Sequence, residues 1–404
     1  MMRQVHAATR VAALVAAMAI LGPAALGADR VDGIDLTEYA GDVAEISSTA
    51  VVVVAGTSRQ ALPLADVSEV TLGAAADPMA AAGAVVVVTS GGDVLTAATV
   101  SAGEGKVKLG GTILGDVTLE LASVRMIYMP PKPLAARDCD RILRDVSAGG
   151  EAARDVLLVR RKGADPMAVE GVLKAMDADN ITFAWKEQDR QVARQTVLAV
   201  QLATAAAAPQ RSAVLLGADG SSISLKSLTM TGSAASVQTA WGADATVERK
   251  LIASVRMESQ RVAALADIKP AAVKEQGFFD RTFTYRLNKS CAGGPLKLGG
   301  RVYSGGLGVH SACELTYKLD GAYTRLVAMV GIDDSVRPAG DATLVVLVDG
   351  KAVGEPLRLT GKTDPVPLRV DVAKAREVTI RVEYGNDKLD VADRVDLAAA
   401  RLIR

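Results

Sequence analysis

Apolar residues run along this chain in short β-branched blocks punctuated by tight-turn chemistry. Val85-Val86-Val87-Val88 leads into Gly91-Gly92-Asp93, Val156-Leu157-Leu158-Val159 into Arg160-Arg161-Lys162-Gly163, and Val214-Leu215-Leu216 into Ala218-Asp219-Gly220-Ser221. Blocks of this kind broken by Gly-Gly, Lys-Gly or Asp-Gly predict strand, hairpin turn, strand. Further on come alternating stretches such as Val107-Lys108-Leu109 and Asn180-Ile181-Thr182-Phe183-Ala184-Trp185. That is the period of a strand with one buried face. Pro130-Pro131-Lys132-Pro133 interrupts the pattern, because clustered prolines cannot donate to a ladder, and a short polar helix is predicted from Ala135 to Val146. The Ala-rich runs 73–83 and 203–208 read as loops.

The blocks repeat. Leu121-Ala122-Ser123-Val124-Arg125-Met126 recurs as Ile252-Ala253-Ser254-Val255-Arg256-Met257, and Leu64 to Leu72 shares its apolar rhythm with Val197 to Leu202. Each such ending closes a unit of roughly 40 to 50 residues, a period typical of repeat architectures. The reading is all-β: four small twisted units resembling SH3-like barrels or a tandem sheet. They fall into a first pair at 33–130, a Pro-rich and helical linker at 131–151, and a second pair at 152–260. A connector at 261–275, with Lys269-Pro270, then leads to a C-terminal module at 276–404.

The chain starts with a different pattern. Arg3 and Arg10 precede an apolar run from Val11 to Leu21, followed by the small residues Ala25, Gly27 and Ala28. This reads as a signal peptide over residues 1–28, since its apolar run falls short of the roughly 20 residues that span a bilayer. The expectation is export, to the medium, periplasm or cell envelope, with no transmembrane segment after cleavage. With 50% hydrophobic but only 3% aromatic residues, the cores must be built from Val, Leu, Ile and Ala. A formal net charge of +0 leaves no basic stripe for nucleic acid and no polybasic cluster for an anionic membrane.

In an exported protein disulfides can persist. Cys291 and Cys313 fall in one module and are the natural pair, leaving Cys139; the alternative is that all three are reduced and simply packed. There is no Cys-x-x-Cys to suggest a zinc or redox site.

Within the C-terminal module, four blocks follow in order. They are Gly305-Gly306-Leu307-Gly308-Val309-His310-Ser311, Glu314-Leu315-Thr316-Tyr317, Val330-Gly331-Ile332-Asp333-Asp334 and Val348-Asp349-Gly350-Lys351. Taken with their spacing, they resemble the NPCBM family of carbohydrate-binding modules over roughly residues 276 to 404. The resemblance implies a galactose-binding-like jelly-roll β-sandwich and a glycan or polysaccharide partner. The segment Asp390 to Ala398 resembles the closing strand of the family, but carries Leu397 where an aromatic residue is common. If that aromatic packs the sandwich, Leu substitutes; if it stacks on sugar, affinity suffers.

Catalytic chemistry is sparse. The only histidines are His6 and His310, and no Gly-x-Ser-x-Gly, Gly-rich phosphate loop or His-Glu-x-x-His is present. His310 reads either as a sugar-contacting or catalytic imidazole, or as a core histidine bonded to nearby backbone, the ordinary fate of a buried polar group. Asp333 and Asp334 are adjacent, so on a strand they would face opposite ways rather than form the pair of acids, about 5 to 10 Å apart, that a glycosidase uses. They suit a turn or calcium ligation, and calcium is the one cofactor left open. Aromatics concentrate in the C-terminal third, where Tyr303 and Tyr384 each adjoin a Gly-containing turn. The reading is therefore a non-catalytic protein that binds glycan through Tyr303, Asp333, Asp334, Arg337, Tyr384, Asn386 and Asp393. The competing reading is an adaptor of the cell envelope whose exposed sheet edges bind envelope proteins.

Overall fold

The computed structural model describes residues 29–73, 84–129, 154–161, 164–205, 207, 210–277 and 282–404. The expected signal peptide, the helix at 135–146, Cys139, residues 74–83, Phe278 and Phe279 lie outside them. Among the described residues, every regular element is a β-strand or a one-turn 3₁₀ helix.

Each of the four N-terminal units ends alike. A 3₁₀ turn at Leu64–Asp66, Leu121–Ser123, Arg194–Thr196 or Arg249–Leu251 is followed by a closing strand at Val67–Thr71, Val124–Tyr128, Val197–Gln201 or Ile252–Met257. The turn is held by the first N–H of the closing strand, which donates to the first carbonyl of the turn. The closing strand then pairs antiparallel with the first hairpin strand of its unit, at Arg30–Gly33, Val85–Thr89, Asp155–Arg161 or Ala213–Gly217.

This register corrects the sequence alignment of the repeats. Val124 lies opposite Thr89 as Ile252 lies opposite Gly217, and Ile127 opposite Val87 as Val255 opposite Leu215. The matching hexapeptides are thus three residues out of step: Leu121-Ala122-Ser123 is a 3₁₀ turn, whereas Ile252-Ala253-Ser254 is strand. The same Leu-Ala-Asp/Ser turn recurs at Leu64–Asp66 and again at Leu265–Asp267.

Pairing between units also departs from chain order. The free edge of each closing strand takes the closing strand of another unit, Val70 opposite Val255 and Ile127 opposite Val200. Unit one therefore pairs with unit four and unit two with unit three, the latter across the proline break, in place of the expected pairs of one with two and three with four. The two pairs meet where Ser222 lies opposite Val94, where Ser224 N donates to Asp93 Oδ1 at 2.7 Å and where Thr96 N donates to Ser221 Oγ at 3.0 Å. In place of four separate barrels, 22 strands among the described residues form one antiparallel hydrogen-bonded network. Its core draws the same positions from every unit: Val31 and Val70, Val87 and Ile127, Leu157 and Val200, Leu215 and Val255 are all buried.

The C-terminal part is a sandwich of two six-stranded sheets. One, here the covered sheet, runs Arg286–Leu287, Gly306–His310, Arg394–Ile403, Arg325–Ile332, Val366–Asp371. The other, the open sheet, runs Ala272–Glu275, Cys313–Lys318, Glu377–Tyr384, Asp341–Val348, Lys351–Ala352, with Leu357–Thr360 also on Asp341–Val348. Two strands, Val262–Ala264 on Arg394–Ile403 and Ala272–Glu275 on Cys313–Lys318, come from the segment expected as a connector. Leu265 beside them is fully buried in the sandwich core. Cys291 and Cys313 are both buried and free, the second of the two alternatives the sequence left open for them; burial pushes the thiols up to about 11 and about 12.

The central strands of the covered sheet, Gly306–His310, Arg394–Ile403 and Arg325–Ile332, are largely buried on both faces. Part of the sheet's outer face lies under the Leu296–Leu298 and Arg301–Tyr303 hairpin and the turn before it. The rest receives the first hairpin of unit one, where Ile34 and Leu36 pack against Val327, Ile403 and Val262. Arginines ring this contact. Arg301 reaches Asp32 at 2.5 Å and Glu38 at 2.9 Å, Arg401 Nη2 donates to Gly33 O at 3.1 Å, and Arg369 donates to the Asp35 and Leu36 carbonyls. Deep burial lowers the Arg401 guanidinium to about 10, opposed by Asp32, Asp35 and Glu69.

Candidate functional site

The loops at one end of the sandwich converge. The turns after His310, Ile332, Thr360 and Tyr384 leave the ends of four strands and meet there. Two glycines make the approach possible: a Cβ on Gly361 would sit 1.9 Å from Ala339 O, and one on Gly385 would sit 2.1 Å from Asp341 O. No side chain fits at such distances.

Asp393 is the hub. Fully buried, it accepts Ser311 Oγ at 2.6 Å and Asp341 N at 3.0 Å, tying three loops together. Burial raises its carboxyl to about 6, against the pull of those two bonds. A raised carboxyl favours the protonated fold, so the stability it contributes is complete below about pH 4 and lost as pH rises through 6. Replacing Asp393 by Asn should flatten that part of the unfolding profile, as measured by urea midpoints between pH 4 and 6.5.

Beside the hub, Asp341 accepts both Arg358 nitrogens, at 2.9 and 3.0 Å, and Asn386 N at 3.1 Å. The Arg358 bonds hold its carboxyl below the usual range. Tyr384 is half-buried at the base of the 385–393 loop, its phenol raised by burial and by Asp390 and Asp393. The loop itself presents apolar residues to solvent: Leu389 is 44% exposed and Val391 61%. An exposed apolar tip flanked by Asn386, Asp387 and Asp390 offers one face for stacking and a rim for hydrogen bonding.

The residues expected to act together divide into three groups. Tyr384, Asn386 and Asp393 share the loop end. Asp333, Asp334 and Arg337 also lie there, but as framework: Asp333 is buried and accepts Ser335 N at 2.9 Å, while the Asp334 oxygens accept Gly299 N at 2.9 Å and Gly300 N at 2.7 Å. Arg337 donates to Gly361 O at 3.0 Å. Tyr303 lies elsewhere, under the Arg301 guanidinium at 4.7 Å in the contact with unit one. Its phenol is raised by burial, with Glu38 and Asp32 of unit one adding to the rise. His310 is buried, donates from Nδ1 to Ser311 O at 2.8 Å and stacks on Phe283 with ring centroids 4.0 Å apart. Leu397 is fully buried in the core, which answers the question its substitution raised: this position packs. Asp341, Arg358, Leu389 and Val391 were not anticipated. The apolar residues set among acids in 386–393 were the available signal. Among the described residues, no group of three or more acidic, His or Cys side chains could hold a metal.

Comparison with known proteins assigns this part of the chain. Residues 261–403 match the NPCBM/NEW2 domain. The match begins where the first sandwich strand does, so the NPCBM domain includes the segment read as a connector. A Renibacterium salmoninarum protein named as a candidate endo-alpha-N-acetylgalactosaminidase is 33% identical over 90 residues, which is 22% of this chain and 6% of that protein. The chain thus corresponds to a small fraction of that relative. Among solved structures, the CBM51 of Clostridium perfringens GH95 in complex with methyl-galactose is 21% identical, covering 35% of this chain and 99% of the other at a TM-score of 0.32. The tandem CBM51 modules of a Streptococcus pneumoniae family 98 glycoside hydrolase are 13% identical, covering 93% and 87% at a TM-score of 0.30.

Proposed function

We propose that this is a non-catalytic glycan-binding protein whose NPCBM domain takes a saccharide at the loop end, between Tyr384, the Leu389 and Val391 tip and the polar groups around Asp341. The observation that carries the reading is the exposed apolar loop beside a fixed Asp341–Arg358–Asn386 rim, within a domain matched to NPCBM. The N-terminal network serves as a scaffold that fixes the orientation of the domain. Export rests on the charged and apolar start of the chain. Among the described residues no helix is long and apolar enough to cross a membrane.

Edge pairing with a partner protein is the weaker alternative. The outer strands at Ser58–Pro63, Gly115–Glu120, Gln188–Ala193 and Asp244–Glu248 carry Arg59 and Pro63, Asp116 and Glu120, Asp189 and Arg190, and Asp244 and Glu248. Charges and prolines on an edge discourage added strands.

The test is a glycan array followed by calorimetric titration with the full chain and with Val391→Asp and Tyr384→Ala variants. Saturable binding weakened about tenfold or more by either change, with unfolding midpoints unaltered, is the expected result. Binding that survives both changes would move the site away from the loop end. Failure of the folded protein to bind any saccharide would return the adaptor reading to the lead.

A further inference from the structure

Beneath the hairpin that covers the sandwich lies a pair of acids that glycan binding does not use. Asp396 sits on the outer face of the covered sheet, opposite Gly331, and Asp333 follows Gly331 by two residues on that same face. Both are buried, at 0% and 1% exposure. One Asp396 oxygen accepts Lys297 N at 3.1 Å, and one Asp333 oxygen accepts Ser335 N at 2.9 Å. The remaining two oxygens, Asp396 Oδ1 and Asp333 Oδ2, have no other partner. As carboxylates neither could donate to the other, and two like charges side by side in a buried site cannot both persist. A single proton between them satisfies both.

We propose that Asp333 and Asp396 share one proton, and that this proton latches the 288–303 segment and the 333–340 loop onto the sandwich. The connections run through backbone. Asp396 holds Lys297 N, Lys297 O accepts Asp334 N, and the Asp334 side chain holds the amides of Gly299 and Gly300. Losing the proton leaves two buried negative charges, relieved most directly by lifting the hairpin and admitting water. The titratable groups around the pair are Asp334 from the 333–340 loop and Cys291 from the segment before the hairpin, and Arg394 and Arg286 act on Cys291 in turn. Burial, and then the bond to Asp333 and its charge, raise the Asp396 carboxyl to about 9. The sign follows: the latch is strongest below about pH 4, weakens steadily as pH rises toward 9 and loses no more above it.

Hydrogen–deuterium exchange of the full chain, followed from pH 6 to 10 and corrected for the intrinsic rate, tests this. In the wild type the Lys297, Gly299 and Gly300 amides should exchange faster by up to about tenfold per pH unit, levelling off above pH 9. The Asp396→Asn variant, whose amide can donate to Asp333 while still accepting Lys297 N, should show a flat corrected profile. Asp333→Asn should flatten it too, and serves if the first variant fails to fold. The same slope in both variants would overturn the proposal, as would a slope abolished by millimolar calcium chloride, which would mark the acids as cation ligands.

Discussion

Gly308→Ala is expected to lower the stability of the sandwich by about 3 kcal/mol or more, at the upper end of what forced overpacking costs. The added Cβ would lie 2.3 Å from Lys289 O, 2.5 Å from Cys291 N and 2.6 Å from Ser290 C. All three are backbone atoms of the turn that crosses the covered sheet, so no side-chain rotation relieves the clash. The turn must rise, and the hairpin after it, from Leu296 to Tyr303, is drawn along. Urea unfolding measures the loss. A second readout is local: Cys291 is 5% exposed with its thiol raised by burial, and should be inert in the wild type. In the variant it should react with a thiol reagent below the unfolding midpoint, scored by mass on the peptide containing Cys291. An unreactive Cys291 with an unchanged midpoint would show that the turn does not rest on Gly308.

Ile34→Asp should separate the two halves of the molecule. Ile34 is 5% exposed and packs on Val327 and Ile403, which are 0% and 6% exposed, so a carboxylate there would be buried without a partner. That costs roughly 3 kcal/mol or more. The surrounding arginines are already engaged, Arg301 with Asp32 and Glu38, Arg369 with the Asp35 and Leu36 carbonyls and Arg401 with Gly33 O, which limits how far they could offset it. Scanning calorimetry should show the unfolding of the wild type split into two transitions, one for the N-terminal network and one for the sandwich. A single transition at the original temperature would mean that this apolar contact is not what joins them. The glycan test is a useful control, since the loop end lies away from this contact and binding should survive the substitution.

Particular residues show how far the sequence reached. The Val-rich blocks and their Gly-Gly and Asp-Gly turns predicted strands where strands occur, because alternation and turn chemistry act over a few neighbouring residues. The ordered blocks from Gly305 to Lys351 indicated the sandwich, now matched over 261–403. Asp333 and Asp334 were read as turn-formers or calcium ligands and as glycan contacts; in the structure Asp333 is buried and Asp334 accepts the Gly299 and Gly300 amides. Other readings failed for a common reason. Tyr303 adjoins a glycine turn and looked exposed, but it is half-buried under Arg301, which pairs with Glu38 from the far end of the chain. Cys291 and Cys313 share a module, yet one sits in the turn over the covered sheet and the other on a strand of the open sheet.

By itself, then, the sequence determined that this protein is built of strands, where most of them run, and that its last third resembles an NPCBM sandwich. Those properties depend on local periodicity and on a block order specific to one fold. Only the tertiary structure decided that unit one pairs with unit four and unit two with unit three, that the supposed connector at 261–275 supplies two sandwich strands, and that Asp333 meets Asp396. A strand edge offers the same N–H and C=O groups whatever its side chains, so the choice of partner is made by how the whole chain closes around its cores. Burial of a carboxylate or a tyrosine follows from that closure and has no local signature.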